Sequence, residues 1–227
     1  VHLVLARTPD APSGSRGISL FAVPKFRIND DGSLGAANDV RCTGIEHKMG
    51  LHGSPTCSMS YGDEDECLGE LIGEENKGLM AMFVLMNEAR LSTGMQGVGF
   101  GELGYQHSLR YAMERTQGAH FATGKRVAIV EHPDVQRMLL SMHSQTMALR
   151  AVGYLIAALI DLSEHSEDKA ERKALRDRVA LLTPIFKAYS TEQGNRMAYT
   201  CVQVFGGMGF VDETGVSQFM RDARIIT

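Results

Sequence analysis

At about Gly73 the chain changes its hydrophobic rhythm, and that change limits its fold more than any single motif. Before it, "VHLVLAR" (1–7), "GISLFAVP" (17–24) and "CSMSYGD" (57–63) are short, partly alternating runs separated by turn-rich stretches such as 8–14 and 29–35, the pattern of strands. After it, apolar residues recur every three or four positions (Leu79, Met82, Phe83, Met86), the spacing of one face of a helix. The expectation is an α+β chain, mainly α: a partial β-barrel domain over 1–73, then an antiparallel four-helix-bundle-type domain over 74–227.

The helices differ in clarity. From Asn76 to Gln117 the helical spacing is interrupted by Gly94, Gly97, Gly99, Gly101 and Gly104, so the segment reads either as a helix with a glycine-lined face or as a loop. "EHPDVQRMLL" opens a second helix cleanly, with Pro133 in the first turn and Val135, Met138, Leu139, Met142, Leu149 and Ile156 on one stripe running to about Ser163. The charged run from Glu164 to Arg178 reads as a solvated connection or an exposed helix start. A third helix is expected over about 181–205, closed by left-handed Gly206 and Gly207, and a short one over about 214–223.

Charge and composition exclude some function classes. A net charge of -4 with no run of basic residues argues against a nucleic-acid partner. The four cysteines contain no Cys-x-x-Cys pair and no histidine cluster accompanies them, which argues against a zinc site or a disulfide framework and fits a reducing cytoplasm. The apolar run 147–160 is broken by Arg150 and is shorter than the roughly 18 to 20 residues that a membrane span needs, so no span is expected.

"HKMGLHGSPTC" (47–57), "LIGEENKGLMAMFVLMNEARL" (71–91), "YAMER" (111–115), "EHPDVQRMLL" and "QVFGGMGF" followed by "MRDARI" together resemble the flavin-dependent acyl-CoA dehydrogenases, in particular the 3-methylmercaptopropionyl-CoA dehydrogenase-like branch. The resemblance covers essentially the whole chain, beginning inside a middle β domain and stopping inside the C-terminal bundle. It implies FAD as cofactor, an acyl-CoA substrate, an electron-transfer flavoprotein as electron acceptor and a homo-oligomer, dimer or tetramer. The implied reaction is α,β-desaturation of the thioester.

Residue by residue, the resemblance makes Arg115 a contact to the FAD pyrophosphate of a neighbouring subunit, and adds Gln117, Gln203, Gly206 and Gly207 as cofactor contacts. The family's Glu-Arg-x-x-Phe-Gly is here Glu114-Arg115-Thr116-Gln117-Gly118, without the aromatic. Arg90 and Asn87 match contacts to the CoA part of the substrate, with Asn87 where many relatives have Asp. Thr56 lies in a motif near the flavin but receives no contact. No catalytic base is assigned within 1–227: the family's Glu would follow "RDARI", and the alternative position on the first bundle helix is Ala89, with Glu88 turned about 100° away. Two other readings stand beside this one, a DNA-repair relative of the family and a helical assembly module without flavin.

Overall fold

The computed structural model describes every residue, Val1–Thr227, and the chain forms two compact units. The first comprises Val1–Lys48 and His52–Met86. Its strands are β1 (His2–Ala6), β2 (Ser19–Val23), β3 (Phe26–Ile28), β4 (Leu34–Ala37), β5 (Val40–Ile45), β6 (Cys57–Tyr61) and β7 (Glu70–Ile72). They pair antiparallel into an open sheet β1-β2-β7, with Val4 opposite Phe21 and Phe21 opposite Leu71, and two ribbons, β3-β4 and β5-β6; no sheet closes on itself.

Two adjacent polar residues pin the turns of this unit. Asn38 Nδ2 donates to the carbonyls of Pro24 (2.9 Å) and Leu68 (2.7 Å), and its Oδ1 accepts from Leu68 N–H (2.8 Å). The Asp39 carboxylate, 3% exposed, accepts from the N–H groups of Glu64 (2.8 Å) and Asp65 (3.0 Å) and pairs with Arg41 Nε (2.9 Å). Those contacts, the two N–H bonds first, hold its carboxyl below the ordinary 3.8.

The glycine-interrupted segment is a helix. α1 spans Gly78–Glu114, and the division between the two compact units falls inside it, between Met86 and Asn87. Its start is tied to the β unit: Gly78 N–H donates to Ile18 C=O (2.8 Å), and a Cβ on Gly78 would come within 2.3 Å of the Ser19 carbonyl carbon. At its other end the expectation of helix to Gln117 fails. Arg115 N–H still bonds back to Tyr111 C=O (2.8 Å), but Arg115 C=O accepts from Ile129 N–H (2.8 Å) and Gly118 has φ 72°, so the chain turns into a hairpin of β8 (Thr116–Ala119) and β9 (Arg126–Ala128).

The second unit, Met49–Leu51 with Asn87–Thr227, holds the rest of α1, this hairpin, α2 (Pro133–His165), α3 (Lys169–Phe205) and α4 (Val216–Ile225). α3 begins about three turns earlier than the sequence suggests. Asp168 caps it by accepting from Ala170 N–H (2.8 Å), and residues 169–178 of the charged run are its first three turns, with a Lys173–Asp177 pair at 2.7 Å. Pro184, which weighs against an uninterrupted helix, is tolerated on the exposed side while Thr183 and Phe186 beside it are buried.

Successive helices run antiparallel. Thr146 of α2 meets Met197 of α3 and Gly153 meets Phe186, whereas Gly94, Gly97, Gly101 and Gly104 of α1 meet Phe186, Ser190, Met197 and Cys201 in ascending order, so α1 and α3 are parallel. α4 returns along α3: Phe219 packs on His107, and the Ala223 carbonyl accepts from Asn195 Nδ2 (3.0 Å). The core between them contains Val98, Met142, Leu149, Ile156, Phe186, Met197, Cys201 and Val216. By length and composition alone α2 could cross a membrane, since an 18-residue stretch of it has mean hydropathy 1.5, a test that the run 147–160 by itself understated. In this fold its apolar stripe from Leu139 to Leu159 faces the bundle core.

Candidate functional site

Three elements converge at one end of the helical unit because their aromatic and aliphatic side chains pack together. Tyr111, in the last turn of α1, stacks on Phe205, the last residue of α3, with ring centroids 4.1 Å apart and planes 13° from parallel. Ala112, Val204, Ile129 and Leu139 are buried in the same cluster, which fixes the β8–β9 hairpin and the start of α2 against both helix ends. Arg115, Gln117, Gln203, Gly206 and Gly207 are therefore carried by adjoining elements, from chain segments some 90 residues apart in sequence.

Each of these residues presents polar groups outward. Arg115, Gln117, Gln203 and Gly207 are exposed and Gly206 is half-buried. The guanidinium of Arg115 has no carboxylate partner in the chain, while its backbone is fixed on both sides by the bonds to Tyr111 and Ile129. His132 Nε2 lies 2.8 Å from the carbonyl of Gln117 and so ties the hairpin to the residue that precedes α2. Sequence reading passed over His132; its position immediately before Pro133, at the N-cap, was the available signal.

The glycine cluster closes α3 in a different way from the one expected. Only Gly206 has a positive φ, 57° with ψ -136°, a conformation that needs glycine but lies outside the left-handed helical region, and its N–H donates to Gln203 C=O. Nothing lies within 4 Å of where a Cβ on Gly206 or Gly207 would stand, so backbone is open to a ligand there; Gly209 instead packs closely, its missing Cβ being 2.4 Å from Val202 C=O. An unpaired guanidinium, two side-chain amides and an open glycine backbone form a donor set suited to phosphate oxygens.

Asn87 and Arg90 do not belong to this group. They lie in the N-terminal half of α1, about 36 to 40 Å from Glu114 at 1.5 Å per residue, and share a face: Arg90 Nη1 donates to Asn87 Oδ1 at 3.0 Å. With its oxygen occupied, Asn87 keeps its NH₂ donors for another partner. Ala89 and Glu88 are exposed beside them, and Thr56 is an exposed residue whose carbonyl accepts from Glu46 N–H (2.8 Å). Two grooves in the helical unit take in none of the expected contacts: an apolar one of 280 Å³ between α2 and α3, including Val152, Ile185 and Tyr189, and one of 420 Å³ beside α4, including Arg196, Tyr199 and Met220.

Residues 76–227 match the family model described as acyl-CoA dehydrogenase, C-terminal domain. The chain belongs to the acyl-CoA dehydrogenase family. Among its relatives in that family it is 46% identical over 228 residues to 3-methylmercaptopropionyl-CoA dehydrogenase of Ruegeria pomeroyi, and 42% identical over 234 residues to a butyryl-CoA dehydrogenase of Syntrophomonas wolfei. Both alignments take in 100% of this chain and 38% of the relative, so the chain spans about two fifths of the length of the curated acyl-CoA dehydrogenases that it matches. In three dimensions it is similar to Caenorhabditis elegans ACDH-11 in complex with C11-CoA, with a TM-score of 0.80 and 26% identity, covering 99% of this chain and 35% of that one.

Proposed function

We propose that this chain is the cofactor- and CoA-facing part of an FAD-dependent enzyme that desaturates acyl-CoA thioesters between the α and β carbons. The observation that carries the reading is the convergence, at one end of the helical unit, of Arg115 and Gln117 with Gln203 and the open Gly206-Gly207 backbone. When bound, FAD supplies hydride acceptance from the β carbon. The chain's own residues then hold and orient. Arg115 holds a phosphate through charge-assisted hydrogen bonds, from a backbone that cannot drift. Gln203 and Gln117 donate amide N–H groups, and Gly206-Gly207 let a ligand touch main chain where any side chain would intervene. Asn87 and Arg90, held together by their own hydrogen bond, meet the polar CoA part of the substrate.

The substrate class is supported by the acyl-CoA names of the Ruegeria and Syntrophomonas relatives and by the C11-CoA bound in the nematode structure. Following the resemblance, residues 1–73 are part of the middle β domain and 74–227 are the helical domain, the electrons pass to an electron-transfer flavoprotein, and the enzyme is a cytoplasmic homo-oligomer. The four free thiols fit that compartment, and the apolar α2–α3 groove gives a second copy a face to cover. No residue of Val1–Thr227 is assigned as the base.

The test is anaerobic addition of an acyl-CoA to the flavin-loaded native protein. The reading predicts bleaching of the flavin spectrum by the thioester and none by free CoA or the free acid. Failure to retain flavin after reconstitution, or equal bleaching by all three, would overturn it.

A further inference from the structure

The β5–β6 ribbon carries a pair of thiols for which the proposed reaction has no use. Cys42 stands opposite Met59 and Ile45 opposite Cys57, with a bulge between Cys42 and Gly44. Met59 and Cys57, two positions apart, share a face, and Cys42 shares it with Met59, so the two cysteines are diagonal neighbours on one face of a two-stranded ribbon. The bulge leaves Thr43 unpaired on the Cys42 side and bends that strand. Cys42 Sγ donates to the Gly44 carbonyl (3.4 Å), and the neighbouring Cys42 thiol, then burial, raise Cys57 above its ordinary value. Cys42 is exposed and Cys57 half-buried, whereas Cys201 is deep in the helical core. A reagent therefore has access to Cys42, and a resolving thiol stands beside it.

We infer that Cys42 and Cys57 form a redox-active dithiol that closes to an intramolecular disulfide on reaction with small disulfides of the glutathione class. In the first step the Cys42 thiolate attacks one sulfur of the small disulfide; that S–S bond breaks, and one small thiol leaves with the proton that Cys42 gave up. In the second, the Cys57 thiolate attacks Cys42 Sγ, the mixed S–S bond breaks, and the second small thiol leaves with the proton from Cys57. The protein dithiol loses two electrons and the small disulfide gains them. Because the second step needs the Cys57 thiolate, which its surroundings disfavour, the mixed disulfide on Cys42 accumulates first and resolves faster as pH rises. The inference is independent of the flavin and acyl-CoA reading.

The experiment treats the reduced native protein with oxidised glutathione, quenches by alkylation at intervals and maps the peptides by mass spectrometry. The expected result is loss of two of this chain's four alkylatable thiols, with a cross-linked peptide pair containing Cys42 and Cys57 preceded by a glutathione adduct on Cys42. Cys42→Ser should give no cross-link and Cys57→Ser should stop at the adduct, while Cys67→Ser should behave like the parent. The wild-type peptide map decides the matter even if a serine variant folds poorly. Separate, unlinked adducts on Cys42 and Cys57, a cross-link involving Cys67 or Cys201, or no modification of Cys42 would each overturn the inference.

Discussion

Gly97 and Gly194 touch each other through their backbones. A Cβ on Gly97 would lie 2.5 Å from Ser190 C=O, and one on Gly194 would lie 2.7 Å from Gly97 C=O. The neighbours here are main chain, which cannot rotate away, so Gly97→Ala should destabilise the helical unit by about 1 to 3 kcal/mol despite the better helix propensity of alanine. Gly99→Ala, on the open side of the same helix, should be neutral or stabilising by a few tenths. Urea denaturation of the two variants separates them; equal midpoints would contradict the packing. The glycines were legible in the sequence as a face for close approach, but not the partner, because only the fold sets α3 against them. Asp39 gives a pH prediction at the same scale. Its carboxyl is held below 3.8 in the folded chain, so its stabilising contribution is present above that value and disappears as pH falls through the lowered folded value. Asp39→Asn should flatten the acid limb of the stability profile of the β unit, and an unchanged limb in acid titration would place the acid sensitivity elsewhere.

α2 was readable because each level of the sequence agrees: Pro133 in the first turn, a continuous apolar stripe, and no proline beyond that turn. α3 was readable only in its second half. Its first three turns are charged on all sides and precede a proline, and what makes them helical is a cap at Asp168 together with local ion pairs, each weak alone. Asp168→Ala should therefore lower stability by about 1 kcal/mol and fray the start of α3, seen as faster amide exchange around residues 170–174 with little change near Ser190. Uniform exchange along the helix would show that the cap matters little. The β8–β9 hairpin escaped sequence reading altogether. Its strands are four and three residues long, and Thr116–Ala119 is exposed throughout, so no alternation marks it. Consequently Gln117 was expected on a helix and lies instead on a strand edge, tethered through His132.

For the whole molecule, the β unit was legible as β from three of its seven strands, while β3, β4, β5 and β7 were hidden in segments rich in glycine and charge. Their pairing is decided by long-range contacts such as the one from Asn38 to Leu68. The expected site residues resolve into two sets, one at the joined ends of α1 and α3 and one far along α1 at Asn87 and Arg90, an arrangement that suits an extended dinucleotide and a long thioester better than one compact ligand. On the proposed assembly, Ile185→Glu in the α2–α3 groove should shift the native protein toward smaller species in light scattering, since it puts a charge on an apolar face that a second copy covers. On the proposed function, the end of the helical unit carrying Arg115 holds the flavin dinucleotide. The most direct measurement of this is equilibrium FAD binding to the native protein and to Arg115→Ala, followed by flavin fluorescence. Loss of a charge-assisted contact worth about 1.5 to 3 kcal/mol predicts affinity roughly 10- to 150-fold weaker with the fold intact, and an unchanged affinity would contradict the account.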